Sequence, residues 1–539
     1  MPDVENVHKQ RGALQQRLAQ DPPIETVIGL LAEQAERRSD DEFLRFGEQS
    51  WTFGEIDIWT NRFAHQLITS YGVNTGDRVA IMLPNVVRWP VAWFATLKAG
   101  AIAVPINSTY QRTDLAFVLN DSGARIIATD AEHAQLIEQV RTTVAELADI
   151  QIVHVEDVSM LGDYPDTRPA ISLSGNTIAN LQYTSGTTGF PKACMLTHDY
   201  WTRLGWVCAV AADLDDRDVV LTAQPFSYMD PQWNTLLCLT IGAPLVVLPR
   251  FSASGFMADV RRHNATFVYV LGAMPTLLYK QPPNIDDRKS SLRLVLCSGI
   301  PPVLHAQLEE RWGAPWREIF GMTESGADLI SLIEDVEDVG SGRLGRPLPT
   351  KEIRVVDPQG IEVESGKPGE LTTSGKPMMI GYWNRPDETE RVLRNGWLHT
   401  GDIVISDPDG LRLVGRIKDM VRRGGENIAS SEVERALERN EMVSGCAIVG
   451  VPDDLFGEEV KAFIELPTHI EPARAIAERI IAAAHEQLAR FKVPRYVEFV
   501  ASLPRTPSER VSKPALIARS RDQPGTTYDL RPPRNETSN

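Results

Sequence analysis

Cysteine is scarce: five in 539 residues, at Cys194, Cys208, Cys238, Cys297 and Cys446. Their odd number, wide spacing and apolar neighbours, with no Cys-x-x-Cys pair, support neither a disulfide framework nor a zinc site. They read as small buried hydrophobes. Long uncharged apolar runs are missing too, and none approaches the roughly 20 residues that cross a bilayer. The opening Met-Pro-Asp-Val-Glu-Asn-Val-His has neither the charged start nor the apolar stretch of a secretion signal, so a cytoplasmic protein without a membrane span is expected. Positive charge is in deficit: 55 Lys and Arg against 72 Asp and Glu leave a net charge of -17. That field opposes long-range attraction to nucleic acid or anionic lipid, so no nucleic-acid partner is expected and an anionic ligand must meet a local basic site. Aromatics make up only 7%, but 42% hydrophobic and 24% charged residues lie in the ordinary globular range and exclude collagen-like or wholly disordered classes. The length suffices for several packed units.

From about Val27 to Leu332, helix-like stretches alternate with short apolar runs such as those beginning at Arg78, Ala124, Val219 and Leu294. Such runs are what parallel strands covered on both faces look like, and an α/β fold follows. Between Gly340 and Gly410, Gly/Pro-punctuated alternating segments, for instance around Glu352 and Gly369, predict hairpins or a small barrel closing the large domain. After Gly415 come a basic, Gly-containing stretch, a helical pattern over Ser431 to Arg439, a strand-like run from Gly445 and a helix from Ala473 to Leu488. These fit a second, smaller α+β domain. The expected division is 1–415 and 416–520, with a Pro- and Arg-rich tail, 521–539, too poor in apolar residues to order itself.

The densest chemical signal is Tyr183-Thr-Ser-Gly-Thr-Thr-Gly-Phe-Pro-Lys192. Glycines let backbone N–H groups approach a phosphate, hydroxyls add donors and the lysine adds charge. It is not a Walker A loop, because Pro191 and Ala193 flank the lysine. Gly340-Ser-Gly-Arg-Leu-Gly345 spells the dinucleotide string G-x-G-x-x-G, but Pro347 and Pro349 deny it the helix that the fingerprint requires. No G-x-S-x-G elbow, H-E-x-x-H pair or EF-hand loop occurs. Three further clusters suit nucleotide chemistry. Glu318-Ile-Phe-Gly-Met-Thr-Glu-Ser325 sets a threonine beside a carboxylate fit for Mg²⁺. Gly396-Trp-Leu-His-Thr-Gly-Asp402 ends in a carboxylate able to accept from ribose hydroxyls. The stretch from Gly415 to Ile428 joins fixed cations to a double glycine.

In this order, the four clusters resemble those of the adenylate-forming superfamily of acyl-CoA synthetases, luciferases and nonribosomal-peptide adenylation domains. The resemblance runs from about Thr26 to Leu516. It implies a large N-terminal domain of parallel sheets plus a small β-barrel, a smaller mobile α+β C-terminal domain, and two half-reactions. ATP and a carboxylate give acyl-AMP and pyrophosphate, and a thiol then displaces AMP. By the resemblance, Thr184, Ser185, Gly186, Thr187, Thr188 and Gly189, with Lys192, form the triphosphate-binding loop. Phe320 lies against adenine, with Gly321 and Met322 carried over beside it and Ser298, Gly299 and Ile300 on the other side. Thr323 meets the α-phosphate, Glu324 holds Mg²⁺, and Asp402 and Arg416 grip the ribose. Lys418 falls on the hinge about which the small domain alternates, and Gly424 and Gly425 match the loop that approaches the pantetheine arm of coenzyme A.

Two segments depart from the pattern. The family's C-terminal signature ends in a lysine that bridges the substrate carboxylate and the α-phosphate, but here the register from Pro504 to Lys513 puts Glu509 on its glycine and Arg510 on that lysine. Lys513 falls on a later basic position. A planar guanidinium keeps the charge but not the shape of an ammonium. Adenylation slowed relative to thioester formation is therefore one expectation, with a partner enzyme supplying or receiving acyl-adenylate. Arg510 performing the lysine's task is the other. Where the family often has Pro-Leu-Phe-His, this chain has Pro225-Phe-Ser-Tyr-Met-Asp-Pro-Gln-Trp233. Tyr228, Met229 and Trp233 suit an acid with a bulky hydrophobic body, though large apolar side chains also serve simply as core. Asp230 as an amino-group anchor is a minor reading, and no carrier-protein domain is seen. The main reading is an ATP-, Mg²⁺- and CoA-dependent ligase. A carrier-loading transferase and a non-catalytic adenylate binder are the alternatives.

Overall fold

The computed structural model describes residue 12 and residues 14–184, 191–423, 426–453, 455–506 and 510–530, without the side chains of residues 158, 418, 426 and 427. It divides into two compact units. One takes the chain through Arg354 together with Thr372–His399, and the other takes Val355–Leu371 together with the chain from Thr400. The smaller unit thus begins ahead of the 415/416 boundary read from the sequence, because the chain passes between the units within the strands Lys351–Val356, Pro368–Gly375 and Trp397–Asp407.

Among the described residues, the large unit carries two extended sheets. The nine-stranded sheet has the order Arg346–Pro347, Gly326–Ile330, Trp316–Met322, Leu294–Ser298, Phe267–Leu271, Val220–Thr222, Leu245–Val247, Glu42–Phe46, Gln49–Thr52. Neighbours from Trp316–Met322 to Glu42–Phe46 run parallel, and the remaining pairings at the two ends are antiparallel. The six-stranded sheet has the order Gln151–His154, Ile126–Thr129, Arg78–Met82, Ile102–Pro105, Ile178–Thr184, Lys192–Thr197, and only its last pairing is antiparallel. All five residues of Phe267–Leu271 are buried, as a β-branched and aromatic parallel strand covered on both faces requires. The α/β expectation holds, and so do the strands expected at Arg78, Ala124, Val219 and Leu294. The Gly340–Gly345 string leads into the strand Arg346–Pro347 and not into a helix. All five cysteines are free and buried. Among the described residues, no helix is long and apolar enough to cross a membrane.

The helix His198–Ala211 starts on Thr197, whose side chain accepts the N–H of Tyr200. It crosses Met229–Ile241 at Gly205, where a Cβ would sit 2.8 Å from the backbone of Leu236, so only glycine permits this approach. His198 Nδ1 accepts the Val27 N–H at 3.3 Å. Burial, aided by repulsion from Arg168, lowers the imidazole from 6.5 to about 4. Between these two values the unfolded chain binds a proton that the folded chain refuses, so stability is full above pH 6.5 and falls as pH drops toward 4. We expect the unfolding free energy to fall by about 3 kcal/mol more across that window in the native chain than in His198→Gln. Coincident pH profiles in urea titrations would refute the assignment.

The smaller unit, again among the described residues, has the strand path Glu426–Ala429, Met420–Arg423, Gly457–Glu465, Tyr496–Phe499, Thr527–Asp529, with Gly445–Asp453 paired along Gly457–Glu465. The helices Ser430–Glu438 and Arg474–His485 bury Val433, Leu437, Ile480 and Ile481 against Val460 and Ile464. The tail departs from expectation. The helix Lys513–Asp522 runs past 521, and Thr527–Asp529 pairs antiparallel with Tyr496–Phe499. Tyr528 and Leu530 pack against the core of the unit, Tyr528 with its ring centre 5.7 Å from that of Phe499, and charge pairs add to this. Buried Glu498 accepts from Arg519 Nε at 2.8 Å and from the Gly525 N–H at 3.2 Å, and Arg495 forks onto Asp529 at 3.0 and 2.8 Å. Residues 531–539 lie outside the described residues.

Candidate active site

In open parallel sheets, ligands bind beyond the carboxyl ends of the strands. There the large unit collects most of its sequence-predicted residues: Thr184 ends Ile178–Thr184, Ser298 ends Leu294–Ser298, and Met322 ends Trp316–Met322. Thr184 pairs in register with Lys192 across the two strands that flank residues 185–190, and its Oγ1 donates to the Lys192 carbonyl at 3.4 Å. Ser185, Gly186, Thr187, Thr188 and Gly189 themselves lie outside the described residues.

Lys192 is buried, ion-paired with Glu388, and its Nζ stands 5.4 Å from the ring centre of Tyr382. The Tyr382 hydroxyl donates to Glu324 Oε1 at 2.7 Å, and the Glu324 carbonyl accepts the Met379 N–H at 2.7 Å. One tyrosine therefore joins the lysine of the first motif to the carboxylate of the second. Burial and the Glu324 charge push that tyrosine far above its ordinary pKa, so it stays a hydrogen-bond donor. Thr323 is fixed through its carbonyl, which accepts the Tyr200 hydroxyl at 2.9 Å.

Ser298, Gly299 and Ile300 meet the same strand. Ser298 Oγ donates to the Ile319 carbonyl at 2.8 Å, and the two carboxylate oxygens of Glu318 accept the N–H groups of Gly299 at 2.6 Å and Ile300 at 2.9 Å. Burial pushes the Glu318 carboxyl up to about 8 against the pull of those donors. Phe320 is half-buried, and a bulge between Phe320 and Gly321 resets the register with Gly326–Ile330. A Cβ on Gly321 would stand 1.8 Å from the Gly326 carbonyl oxygen, so glycine is obligatory at this turn of the chain. Met322 pairs with Gly326.

Tyr228 and Met229 are half-buried at the start of Met229–Ile241, with Trp233 one turn on. Trp233 packs edge-on against Tyr269 with centroids 5.0 Å apart, and the Tyr269 hydroxyl lies 2.9 Å from Ser298 Oγ. The apolar residues are thus one side chain from the Ser298 loop. Below them Gln232 donates to Gln182 Oε1 at 3.1 Å and accepts from Asn180 Nδ2 at 2.7 Å, and Gln182 donates to the Ser227 carbonyl at 2.7 Å. This buried amide network fixes the 225–228 turn.

In the smaller unit, Asp402 and Arg416 face each other across the hairpin of Trp397–Asp407 and Gly410–Arg416, with Nε donating to Oδ1 at 2.8 Å. Lys418 lies in the turn Ile417–Asp419, but its side chain is outside the described residues, as are Gly424, Gly425 and Glu509. Arg510 is exposed beside a bridge between Arg505 and Val511, and its carbonyl accepts the Thr506 N–H at 2.7 Å. Lys513 stands apart from that role: it opens Lys513–Asp522 and is paired with Glu434 at 2.8 Å.

Tyr382, Glu388, Glu318 and Tyr200 were missed by sequence reasoning. The string Gly381-Tyr-Trp-Asn-Arg-Pro-Asp-Glu388, an aromatic pair and turn residues ahead of an acidic helix start, was the available signal for the first two. Glu318 opens the second motif but was given no role of its own there, and nothing in the local sequence marks Tyr200.

Comparison with known proteins agrees with this layout. Residues 31–383 match the AMP-binding enzyme family, and residues 432–510 match the AMP-binding enzyme C-terminal domain. Feruloyl-CoA synthase of Amycolatopsis sp is 34% identical over 480 residues, covering 87% of this chain and 94% of that protein. A long-chain-fatty-acid–CoA ligase of Escherichia coli O157:H7 is 32% identical over 526 residues, covering 89% and 92%. Among solved structures, the anthranilate CoA ligase AuaEII in complex with anthranoyl-AMP superposes with a TM-score of 0.83 at 25% identity, over 92% of this chain and 97% of that one. The chain belongs to the adenylate-forming family of AMP-binding enzymes, and it is an AMP-forming acid–thiol ligase of the acyl-CoA type.

Proposed function

We propose that this ligase activates a carboxylic acid with a hydrophobic body, forming its acyl-adenylate from ATP and then its CoA thioester. The observation that carries the reading is the Lys192–Tyr382–Glu324 cluster at strand ends, a buried cation over the ring and a buried carboxylate on the hydroxyl of one tyrosine. Attack of one anion on another needs the phosphates' charge neutralised in a water-poor cleft, and Lys192 with the 184–189 loop would do that. Phe320, Gly321 and Met322, with Ser298, Gly299 and Ile300, would flank the adenine. Thr323 would meet the α-phosphate, and Asp402 with Arg416 the ribose. Lys418 would be the pivot between half-reactions, and Gly424 and Gly425 would approach the thiol. The half-buried Tyr228 and Met229, backed by Trp233, favour a bulky apolar acid, and the ferulic, long-chain fatty and anthranilic acids in the relatives' names are of that kind.

Magnesium is implied by the family. Among the described residues, no group of three or more His, Cys, Asp or Glu side chains converges as a metal cage, whereas Glu324 is a buried carboxylate next to the phosphate-binding residues. One carboxylate plus substrate phosphates and water is how Mg²⁺ is commonly held, so these residues fit it. Bound there by Glu324, it would neutralise phosphate charge. Arg510 would do the work of the family's lysine, since Lys513 is committed to Glu434.

The test incubates the full-length chain with ATP, MgCl₂, CoA and a panel of aryl, hydroxycinnamic, fatty and short hydrophilic acids, and detects CoA adducts by mass spectrometry. Hydrophobic acids should dominate, and Asp402→Ala should weaken ATP and acyl-AMP binding alike, roughly 10- to 100-fold. Adducts with hydrophilic acids alone would refute the substrate class, and unchanged affinities in Asp402→Ala would remove the ribose assignment.

A further inference from the structure

Resting on the reading of Lys192 as the triphosphate's lysine, we propose that the Glu388 carboxylate competes with a nucleotide's outer phosphates for the Lys192 ammonium, and thereby sets how tightly this ligase takes a triphosphate. A buried ammonium needs a counter-charge, and Glu388 supplies it. The other carboxylate of the cluster, Glu324, has Oε1 taken by the Tyr382 hydroxyl. Glu388 is held on the short helix Pro386–Val392, and two more cations approach it, Arg391 at 3.6 Å and Arg385 at 3.9 Å. A carboxylate that releases Lys192 therefore keeps partners, so the exchange of Glu388 for phosphate leaves no stranded charge. The segment is also moored to the strand that enters the hydroxyl-rich loop. Arg385 pairs with Asp121 at 2.5 Å, and the Tyr183 hydroxyl donates to the same carboxylate at 2.8 Å. Glu388 is thus a positioning residue: it acts through the lysine.

The size of the effect follows from population arithmetic. If the pair leaves Lys192 available in roughly a tenth to a third of molecules, as for a partly exposed ion pair, the apparent dissociation constant exceeds the intrinsic one by about 3- to 10-fold. Isothermal titration of full-length native, Glu388→Gln, Glu388→Asp and Lys192→Met chains with ATP, tripolyphosphate and AMP reads this directly. Glu388→Gln should tighten ATP and tripolyphosphate by about 3- to 10-fold and leave AMP unmoved, and Glu388→Asp should restore the native values. A purely structural Glu388 gives the opposite sign, weaker binding of all three ligands in Glu388→Gln, and that result overturns the proposal. Lys192→Met separates the two layers. Unchanged triphosphate affinity there would mean that Lys192 itself is misread. Weakened affinity there, with no gain in Glu388→Gln, would defeat the competition alone.

Discussion

Arg510→Ala is expected to slow acid-dependent pyrophosphate exchange by about 100- to 1000-fold, the usual cost of losing one well-placed transition-state contact. CoA transfer from preformed acyl-AMP should change by only a few-fold, because the family withdraws this position from the phosphate before the thiol attacks. The expectation rests on how the residue is presented. Arg510 is exposed, its carbonyl takes the Thr506 N–H at 2.7 Å, and the Arg505–Val511 bridge closes the segment behind it. Lys513 cannot substitute, since Glu434 holds it at 2.8 Å while also taking the Ile448 N–H at 2.8 Å. Arg510→Lys then asks what the guanidinium's shape costs. Exchange within about tenfold of native means that arginine performs the task, and a larger gain identifies it as a brake on adenylation. Undiminished exchange in Arg510→Ala would remove the residue from the chemistry.

Asp328→Ala is expected to cost about 3–5 kcal/mol of stability, because it strands a buried ammonium. Lys351 Nζ lies 3.1 Å from Asp328 Oδ1, and both side chains are 0% exposed. Thr373 donates to the same carboxylate at 2.8 Å, and Ser325 hydrogen-bonds its other oxygen. Burial already lowers the Lys351 pKa, and only Asp328 opposes that shift, so the variant leaves the lysine with its desolvation cost and no counter-charge. Lys351 also donates to the carbonyls of Ser325 at 2.8 Å and Pro377 at 2.5 Å, next in sequence to Glu324 and close to Met379. The damage should therefore reach the active site before the fold is lost, as weaker ATP binding. Urea titration measures the loss. Asp328→Ala with Lys351→Met should recover most of it, and a single-variant loss under about 1 kcal/mol would contradict the account.

The α/β core was legible because its strands announce themselves: the run Leu294-Val-Leu-Cys, apolar at every position and buried throughout, suits a strand covered on both faces. Thr184, Lys192 and Glu324 stood out because glycine, hydroxyl and charge are concentrated around them in the chain, whereas Ser298 and Phe320 came only from the resemblance. Tyr382 and Glu388 were not legible, since what matters about them is contact with Lys192, distant in the chain, and neither periodicity nor composition reports such a pairing. The tail was misjudged for a related reason. Its few apolar residues are well placed, Tyr528 and Leu530 packing on the core of the smaller unit, and Glu498, Arg495 and Arg519 add charge pairs that composition does not report.

The strand Thr527–Asp529 bears on how the protein should be handled. It shields the outer edge of Tyr496–Phe499, and its Thr527 hydroxyl donates to Glu498 at 3.3 Å beside the Lys461 and Arg519 that neutralise that carboxylate. An expression plasmid trimmed at the start of the proline-rich stretch would bare a pairing-competent edge and invite inclusion bodies, so purification handles belong after Leu530.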